Sequence, residues 1–541
     1  MRLREAERQD LAEAARALVG PKSIAAVCAY GSKVAGYARP DSDYDILVVA
    51  RRFGEGVRYK YVKEPVETSA LIVDEDMLRQ DARTGYLGEF VVGRLLNFYE
   101  PIEGEQLLRE VEVEYKKRVI VEALFELSTD YGDFSRHITA PYDYFLFEKL
   151  RKRAVVYPPA LYSYVQTYTC SRSRENLTFS TNGFKEAATS LASRGFLHAD
   201  AGGVKVHPEK MKGDAFTKVL SLFSLTARGI TQYAVHGYAG RVGLGVFRRE
   251  ALSKFRRLRE RPEPPTELER PKSLLKLDEG QFVPEAAKIN DQLAKLAGFA
   301  DYAVSERILG EPYTTTRVVT IRGGSRERSF VVKNFSDVRS LKWAILGVWA
   351  VTARKFSMTP MARLEREYQS SITLREKGVL TPMIVAVAPD ERVIVKDFVE
   401  GPPLSRVIEG LMSGARDGLG RIAKYGDVLA KVHRAGLALG DAKASNVVVA
   451  RDGLYLTDLE QAVLGGDAAW DLAEFLYYTA KLSLKEDKMK EVAETFLEAY
   501  VSSAGREAVE RARGNRYLAP FRPFLTPGMA SMLRGVMAEF S

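Results

Sequence analysis

Four polar residues within one short segment, residues 436–462, have types and spacing suited to phosphoryl transfer. Asp441, Lys443 and Asn446 fall in one loop between a helical pattern and a strand, and Asp458 follows at the end of the next strand. Transfer of a phosphoryl group to a hydroxyl needs a carboxylate that orients the hydroxyl, a cation against the phosphate and oxygen ligands for magnesium. The segment therefore predicts Asp441 and Lys443 as catalytic residues, with Asn446 and Asp458 as metal ligands.

Elements upstream of this segment offer the remaining groups for such a site. Residues 300–335 have the alternation of three antiparallel strands, and Lys333 on the last of them needs an anion, such as ATP phosphates and a helix glutamate. The next helical pattern offers Glu365 and Glu367, and either alone could simply face solvent. Of a glycine-rich phosphate loop only Gly310 remains. Threonine hydroxyls and backbone groups after it are expected to contact the phosphates.

The C-terminal part resembles the atypical, RIO-like protein kinases, and among them the small kinase subunit of the KEOPS complex. The stretches EREYQSSITLREKGVLTP, VHRAGLALGDAKASNVVV and YLTDLEQA carry the similarity. The resemblance implies a bilobal kinase-like fold, ATP with Mg²⁺ or Mn²⁺ as cofactors, and Glu367 as the partner of Lys333. Lys443 is of the protein-kinase type, which favours a Ser/Thr hydroxyl of a protein as acceptor. Leu439 and Glu460 depart from the family pattern, and a pseudokinase is the alternative.

A second candidate site lies near the N-terminus. Residues 24–29 and 46–49 read as strands, and the segment between them contains Gly31-Ser32 and, ten residues later, Asp43-Tyr44-Asp45. Residues two apart on a strand point to the same face, so both carboxylates project together and need a bridging cation. The backbone amides of the Gly-Ser turn and the following helix start are available for phosphates.

This GS(x10)DYD pattern resembles the polymerase-beta-like nucleotidyltransferase superfamily. The resemblance implies Asp43 and Asp45 as metal ligands, the Gly31-Ser32 turn as a triphosphate contact, and ATP or another NTP as ligand. It also implies a third carboxylate from a neighbouring strand, for which Glu67 is the first choice and Asp74 the second. The alternative is a solvent-facing turn without a metal site.

The middle of the chain is predicted to be helical, and it ends in a pattern of helix, glycine, strand, glycine-rich turn and strand. Ser180 or Asn182 is expected to cap a helix over residues 184–194, and Gly202-Gly203 to form the turn. This order looks like a winged helix, which would dock on RNA or DNA through the basic middle region. A small domain that orients the nucleotidyltransferase or mediates dimer contacts is equally compatible with the pattern.

Length and composition predict a modular protein with an α+β multidomain fold. The 541 residues exceed one core, and the net charge of +9 leaves contact with a polyanion open. The predicted domains are a nucleotidyltransferase α/β domain (1–115), a helical and winged-helix domain (116–240), a charged, proline-rich linker (241–280) and an atypical kinase-like domain (281–541). A charged, helical N-terminus without a secretory signal predicts a cytoplasmic protein without a membrane partner. Two cysteines cannot form a disulfide framework or, by themselves, a zinc site.

Together the motifs predict an ATP- and magnesium-dependent atypical serine/threonine protein kinase fused to a nucleotidyltransferase domain. One alternative is a nucleic-acid- or protein-directed nucleotidyltransferase with a regulatory kinase-like domain. Another is a nucleotide-sensing scaffold that binds nucleic acid and catalyses no transfer.

Overall fold

The protein divides into two compact units, Met1–Asp278 and Glu279–Ser541. The computed structural model describes residues 3–20, 23–40, 42–209, 263–285, 289–309, 316–335, 359–415, 417–482 and 485–541. Most of the predicted linker, the last part of the basic middle region and Gly310 lie outside these residues. Among the residues described, no helix is both long and apolar enough to cross a membrane.

A five-stranded sheet carries the candidate site of the first unit. Its strands are β1 (Ile24–Tyr30), β2 (Tyr44–Ala50), β3 (Val57–Val62), β4 (Thr68–Asp74) and β5 (Glu100–Glu103). The order is β3-β4-β2-β1-β5, with β2 and β4 parallel and the other pairs antiparallel. Residues 46–50 are buried at every position, as expected for a strand that is covered on both faces.

Helices cover this sheet and continue into the helical middle region. They are α1 (Glu5–Val19), α2 (Ser32–Ala35), α3 (Glu75–Thr84), α4 (Glu105–Tyr131), α5 (Tyr142–Val156), α6 (Ala160–Thr169) and α7 (Ser173–Ser193). Helix α1 packs Leu11 and Ala15 against Ile46 and Val48 on one face of the sheet. Helix α4 runs through the predicted boundary between residues 115 and 116, and it also contacts β1.

The predicted helix and hairpin of the middle region are present, but the helix begins earlier than expected. Helix α7 starts at Ser173, and Ser180 is a buried residue inside it, so neither Ser180 nor Asn182 can be its cap. Strands β7 (His198–Asp200) and β8 (Gly203–Lys205) form the hairpin. Strand β8 pairs with β6 (Ile138–Ala140), which pairs with β9 (Lys276–Leu277). The hairpin thus belongs to a small sheet, and a winged-helix fold is not shown.

The second unit begins with a sheet and two helices. Its strands are β10 (Gln281–Phe282), β11 (Ala303–Ile308), β12 (Thr316–Gly323), β13 (Arg326–Asn334), β14 (Ile384–Ala388) and β15 (Val393–Asp397), in the order β11-β12-β13-β15-β14-β10. The helices are α8 (Ile289–Ala297), which packs Leu293 into the core of this sheet, and α9 (Pro360–Glu376). Thr359 caps α9 by accepting a hydrogen bond from the amide of Ala362.

The rest of the second unit is mainly helical around one large apolar core. Its helices are α10 (Leu404–Met412), α11 (Leu419–Arg434), α12 (Ala468–Thr479), α13 (Glu486–Ala504), α14 (Glu507–Ala512), α15 (Asn515–Leu518) and α16 (Pro527–Glu539). Two short antiparallel pairs lie between α11 and α12. These are β16 (Leu437–Ala438) with β19 (Val463–Leu464), and β17 (Val447–Val449) with β18 (Leu454–Leu456).

Candidate functional sites

The loop that contains Asp441 is held by hydrogen bonds to a buried carboxylate. Asp471 on α12 is fully buried and accepts the backbone N–H groups of Leu439 and Gly440 at 2.6 and 2.7 Å. His433 Nε2 lies 3.0 Å from the same carboxylate. The departure at Leu439 is explained by this arrangement, because Leu439 packs into the apolar core while its backbone binds Asp471. The loop conformation therefore does not need a histidine at position 439.

Asp441, Lys443 and Asn446 converge as the sequence predicts. Asn446 Nδ2 donates to Asp441 Oδ2 and to the Asp441 carbonyl, both at 3.0 Å. Lys443 forms an ion pair with Asp441 and lies 3.9 Å from Glu474. Burial opposes a charged Lys443, but the Asp441 and Glu474 carboxylates outweigh it and raise the pKa of this lysine. At rest, a cation therefore lies directly against the candidate catalytic carboxylate.

Lys333 and Glu367 are brought together from two different elements. Lys333 lies near the end of β13, and its Nζ is 3.3 Å from Glu367 Oε2 on α9. Glu367 is buried and also forms an ion pair with Lys396 of β15, whose Nζ donates to Ser371 Oγ at 2.9 Å. Burial would raise the pKa of Glu367, but the two ammonium groups hold it at about 2. The glutamate is thus an anion shared by two lysines.

Asp458 and Glu460 are further acidic partners of Lys333. Lys333 forms an ion pair with Asp458, and its Nζ is 3.0 Å from Glu460 Oε2. Asp458 has φ of +57°, a left-handed conformation that few residues other than glycine adopt and that often marks functional sites. Desolvation and the carboxylates of Glu460 and Glu367 raise its pKa, although the side chain keeps 41% of its surface exposed.

The donor set around this site fits magnesium and a nucleotide. Asn446 uses its Nδ2 on Asp441, so its amide oxygen and the exposed Asp458 carboxylate are the hard oxygen donors that Mg²⁺ prefers. Two ligands of this kind, with substrate phosphates completing the shell, are usual for magnesium in phosphoryl transfer. Among the described residues, no group of three or more His, Cys, Asp or Glu side chains is arranged to hold a metal ion.

In the first unit, Gly31 and Asp45 are in direct contact. Gly31 has φ of +79°, and a Cβ at this position would lie 2.4 Å from Asp45 Oδ2. Glycine is therefore required both by its backbone conformation and by the carboxylate packed against it. Ser32 begins α2, which has only four residues. Asp45 lies opposite Tyr30 across the β1–β2 ladder, on a half-buried part of the sheet.

Asp43 and Glu67 lie at the same end of the parallel pair β2–β4. The amide of Tyr44 donates to the Glu67 carbonyl at 2.9 Å, which places the residues before each strand side by side. Desolvation and the carboxylates of Glu67 and Asp43 raise the pKa of Tyr61, which places both acids near that hydroxyl. These oxygen donors fit a hard divalent cation, although no group of three or more His, Cys, Asp or Glu side chains in the described part of the chain is arranged to hold one.

Asp74, the second choice for a third carboxylate, has a structural function instead. It lies at the far end of β4 and caps α3, accepting the amide of Asp76 at 3.0 Å and that of Phe53 at 2.9 Å. Its carboxylate stabilises a helix start and a turn, and lies away from Asp45 along the strand. Among the two candidates, only Glu67 lies near Asp43.

Comparisons with known proteins find similarity for parts of the chain. Residues 9–122 match the family model described as a nucleotidyltransferase domain. The N-terminal part of the chain contains a nucleotidyltransferase domain. A curated relative, the probable serine/threonine-protein kinase BUD32 homolog of Archaeoglobus fulgidus, is 25% identical over 154 residues, which are 28% of this chain and 73% of the relative. The nucleotidyltransferase domain is thus joined to a distant kinase homologue in the C-terminal part.

A solved structure also resembles this nucleotidyltransferase-containing chain. The structure of the microcompartment-associated aminopropanol kinase is 12% identical and covers 47% of this chain and 94% of its own. Its TM-score is 0.27.

Three residues of these sites were missed from the sequence. Lys396, Glu474 and Arg94 of the first unit all lie outside the motifs that predict the sites. Lys396 and Glu474 are charged residues inside mostly apolar runs, VIVKDFV and LAEFL, and a charge in such a position signals a buried partner. Arg94 has a similar signal in VVGRLL, although the partner it requires cannot be read from the sequence.

Proposed function

We propose that the second unit is a magnesium-dependent kinase that transfers the γ-phosphoryl group of ATP to a serine or threonine hydroxyl of a protein. The observation that carries the proposal is the convergence of Lys333 with Glu367 and Asp458, each from a different element. An ordered lysine between a helix glutamate and a metal-binding aspartate is what kinases need for phosphate binding. The likeness to a probable serine/threonine-protein kinase supports a protein hydroxyl as acceptor.

The residues divide the chemistry as follows. Asp441 orients the acceptor hydroxyl and takes its proton as the new oxygen–phosphorus bond forms, and ADP leaves with the electrons of the broken bond. Lys443 moves from Asp441 to the transferred phosphoryl group and neutralises its charge. Lys333, positioned by Glu367, holds the donor phosphates. Asn446 and Asp458 would hold Mg²⁺, which would neutralise charge on those phosphates.

The test is transfer of γ-labelled phosphate from ATP to the chain itself or to a generic protein acceptor. Asp441→Asn and Asp458→Asn are each expected to reduce transfer by at least a hundredfold, because one loses the base and the other a metal ligand. Asp452→Asn is the matched control, since Asp452 is an exposed aspartate on the neighbouring hairpin that binds only Tyr455. Unchanged transfer in both site variants would refute the proposal.

We also propose nucleotidyl transfer by the first unit, with RNA, DNA or a protein as acceptor. The match of residues 9–122 and the contact between Gly31 and Asp45 favour this second activity. Label from an α-labelled NTP is expected to move to the acceptor, and to be lost in Asp43→Asn and Asp45→Asn. Asp76→Asn is the control, because Asp76 is an exposed aspartate in the first turn of α3. Label that moves equally well in the site variants counts against it.

The two labels separate the remaining alternatives. If only the α-label moves, the second unit is a regulatory kinase-like domain. If neither label moves while the chain binds RNA or DNA with steep salt dependence, it is a nucleotide-sensing scaffold that uses its basic middle region.

A further inference from the structure

Arg94 of the first unit lies in a pocket of aromatic side chains. It belongs to a short 3₁₀ segment, Val92–Leu96, and its guanidinium carbon lies 5.5 Å from the ring centre of Tyr30 and 5.2 Å from that of Phe90. Its Nη2 donates to the Tyr59 hydroxyl at 3.1 Å. Tyr59 and Phe90 pack edge to face, so the pocket wall is built from packed rings. The arginine is therefore held in place by aromatic contacts rather than by an acid.

No carboxylate is paired with Arg94 among the residues that the structure describes, and its buried Nε–H has no acceptor there. Several other half-buried arginines in this unit do have acidic partners. Examples are Arg8–Glu100, Arg109–Glu112, Arg118–Glu89 and Arg153–Glu89. Removing a cation from water without a partner is costly, and a buried N–H without an acceptor adds to that cost. Arg94 as a whole is only partly buried, so an anion from outside the chain can reach the guanidinium and supply the missing partner.

The position of Arg94 identifies the anion. Tyr30, on which the guanidinium stacks, lies directly opposite Asp45 in the β1–β2 ladder. Tyr59, its hydrogen-bond partner, is on β3, two residues from Tyr61, so both tyrosines are on the same face of the sheet. The hydroxyl of Tyr61 is the one that lies near Asp43 and Glu67. Alternate residues of a strand share a face, so the arginine lies on the face of the sheet that carries the candidate metal-binding acids.

We propose that Arg94 binds the polyphosphate group of a nucleoside triphosphate at the nucleotidyltransferase site. The planar guanidinium forms two parallel hydrogen bonds with phosphate oxygens, and the stack on Tyr30 and Phe90 fixes its orientation. The inference rests on the proposed nucleotidyl transfer of the first unit and is independent of the kinase proposal. Arg94 would bind the phosphates directly through its positive charge. The acids would bind them indirectly, as ligands of a metal ion.

Binding of α-labelled ATP, GTP, CTP and UTP to the full chain, measured by equilibrium dialysis with Mg²⁺, tests the proposal. The parent chain carries Lys333→Met to weaken nucleotide binding at the second unit. Arg94→Gln is expected to raise the Kd of the bound nucleotide at least tenfold. Arg94→Lys should raise it less, because an ammonium keeps the charge but loses the paired hydrogen bonds. Arg58→Gln is the control, since Arg58 lies beside Tyr59 on the opposite face and pairs with Glu55.

The measured Kd values decide whether Arg94 binds the nucleotide. A Kd for Arg94→Gln within twofold of the parent value for every nucleotide overturns the proposal, and so does a parent chain that binds none of the four. If circular dichroism shows that Arg94→Gln does not fold, Arg94→Lys decides, and an unchanged Kd in that variant overturns it. Transfer of γ-label, measured in chains with Lys333 intact, should be the same with and without Arg94→Gln. If neither chain transfers the γ-label, only the kinase proposal is refuted.

Discussion

Replacement of Lys396 by methionine tests whether Glu367 depends on two lysines. Glu367 is buried and shared between Lys333, 3.3 Å away, and Lys396, with which it forms a closer ion pair. Methionine keeps the unbranched shape of the side chain and removes the ammonium group. We expect Lys396→Met to destabilise the second unit and to lower phosphate transfer, because Glu367 then has only Lys333 to balance its charge.

The pKa of Glu367 sets the magnitude. A shift from the ordinary value of 4.5 to about 2 corresponds to about 3 kcal/mol of stability at neutral pH, supplied by both lysines. The net stabilisation by Lys396 is smaller than its part of this free energy, because burying its ammonium group is itself costly. The same burial lowers the pKa of Lys396. We therefore expect Lys396→Met to cost about 1–2 kcal/mol, or about 2–8 °C in melting temperature for a unit of this size.

Tryptophan fluorescence provides the assay. The three tryptophans of the chain all fall within residues 279–541, and Trp470 is buried in the core of the second unit, so its fluorescence can report unfolding of that unit. The pKa of Glu367 is lower in the folded than in the unfolded protein, so its contribution is fully present above pH 4.5 and is lost as pH falls towards 2. The difference between wild type and Lys396→Met should accordingly be largest near pH 7 and shrink below pH 4.5.

Two controls make the result specific. Lys424→Met removes an exposed lysine of α11 and should change stability by less than about 0.5 kcal/mol. Glu367→Gln combined with Lys396→Met removes both charges and should be less destabilised than the sum of the single changes. A variant Lys396→Met that is as stable as wild type, or a deficit that is constant from pH 7 to pH 3.5, would show that the charge of Lys396 does not stabilise Glu367.

Three further changes probe the positions of the site residues. Asp471→Asn should lower phosphate transfer more than tenfold and cost about 2–4 kcal/mol by tryptophan fluorescence, because its carboxylate holds two backbone N–H groups. Burial and the Asp441 charge raise the pKa of Glu474, so Glu474→Gln should be tolerated at low pH and relatively stabilising as pH rises, by the same assay. Gly31→Ala should abolish nucleotidyl transfer and lower the melting temperature in circular dichroism, since its Cβ would collide with Asp45.

Local patterns in the sequence were sufficient to predict much of the fold. The three strands that lead to Lys333, the amphipathic helix before the catalytic loop and the strands around Asp45 are all present, because each has a clear period and turn residues at its ends. The start of α7 was misplaced for the same reason. Ser180 is a good capping residue in isolation, but tertiary packing buries it in the middle of a longer helix.

The partners of buried charges could not be read in this way. Lys396 and Glu367 are 29 residues apart, and Arg94 is 35 residues from Tyr59, so each pairing depends on how distant elements pack. Asp74 illustrates the converse case. Its residue type and strand position suited a metal ligand, but the turn that follows made it a helix cap, which requires the same carboxylate. A motif specifies which chemistry is possible, and packing decides which acid is used for it.

Before a nucleotide binds, the cationic residues of the two sites differ in their carboxylate partners. This difference affects how each site binds a nucleotide. In the second unit, Lys333 and Lys396 face Glu367, Asp458 and Glu460, so the lysine that would hold phosphate already has carboxylate partners. A bare triphosphate would meet an excess of negative charge there, and magnesium is needed to reverse it. In the first unit, Arg94 lacks such a partner among the described residues and is ready for an anion before any metal binds. Nucleotide binding in excess EDTA should therefore be lost more completely at the Lys333 site than at the Arg94 site.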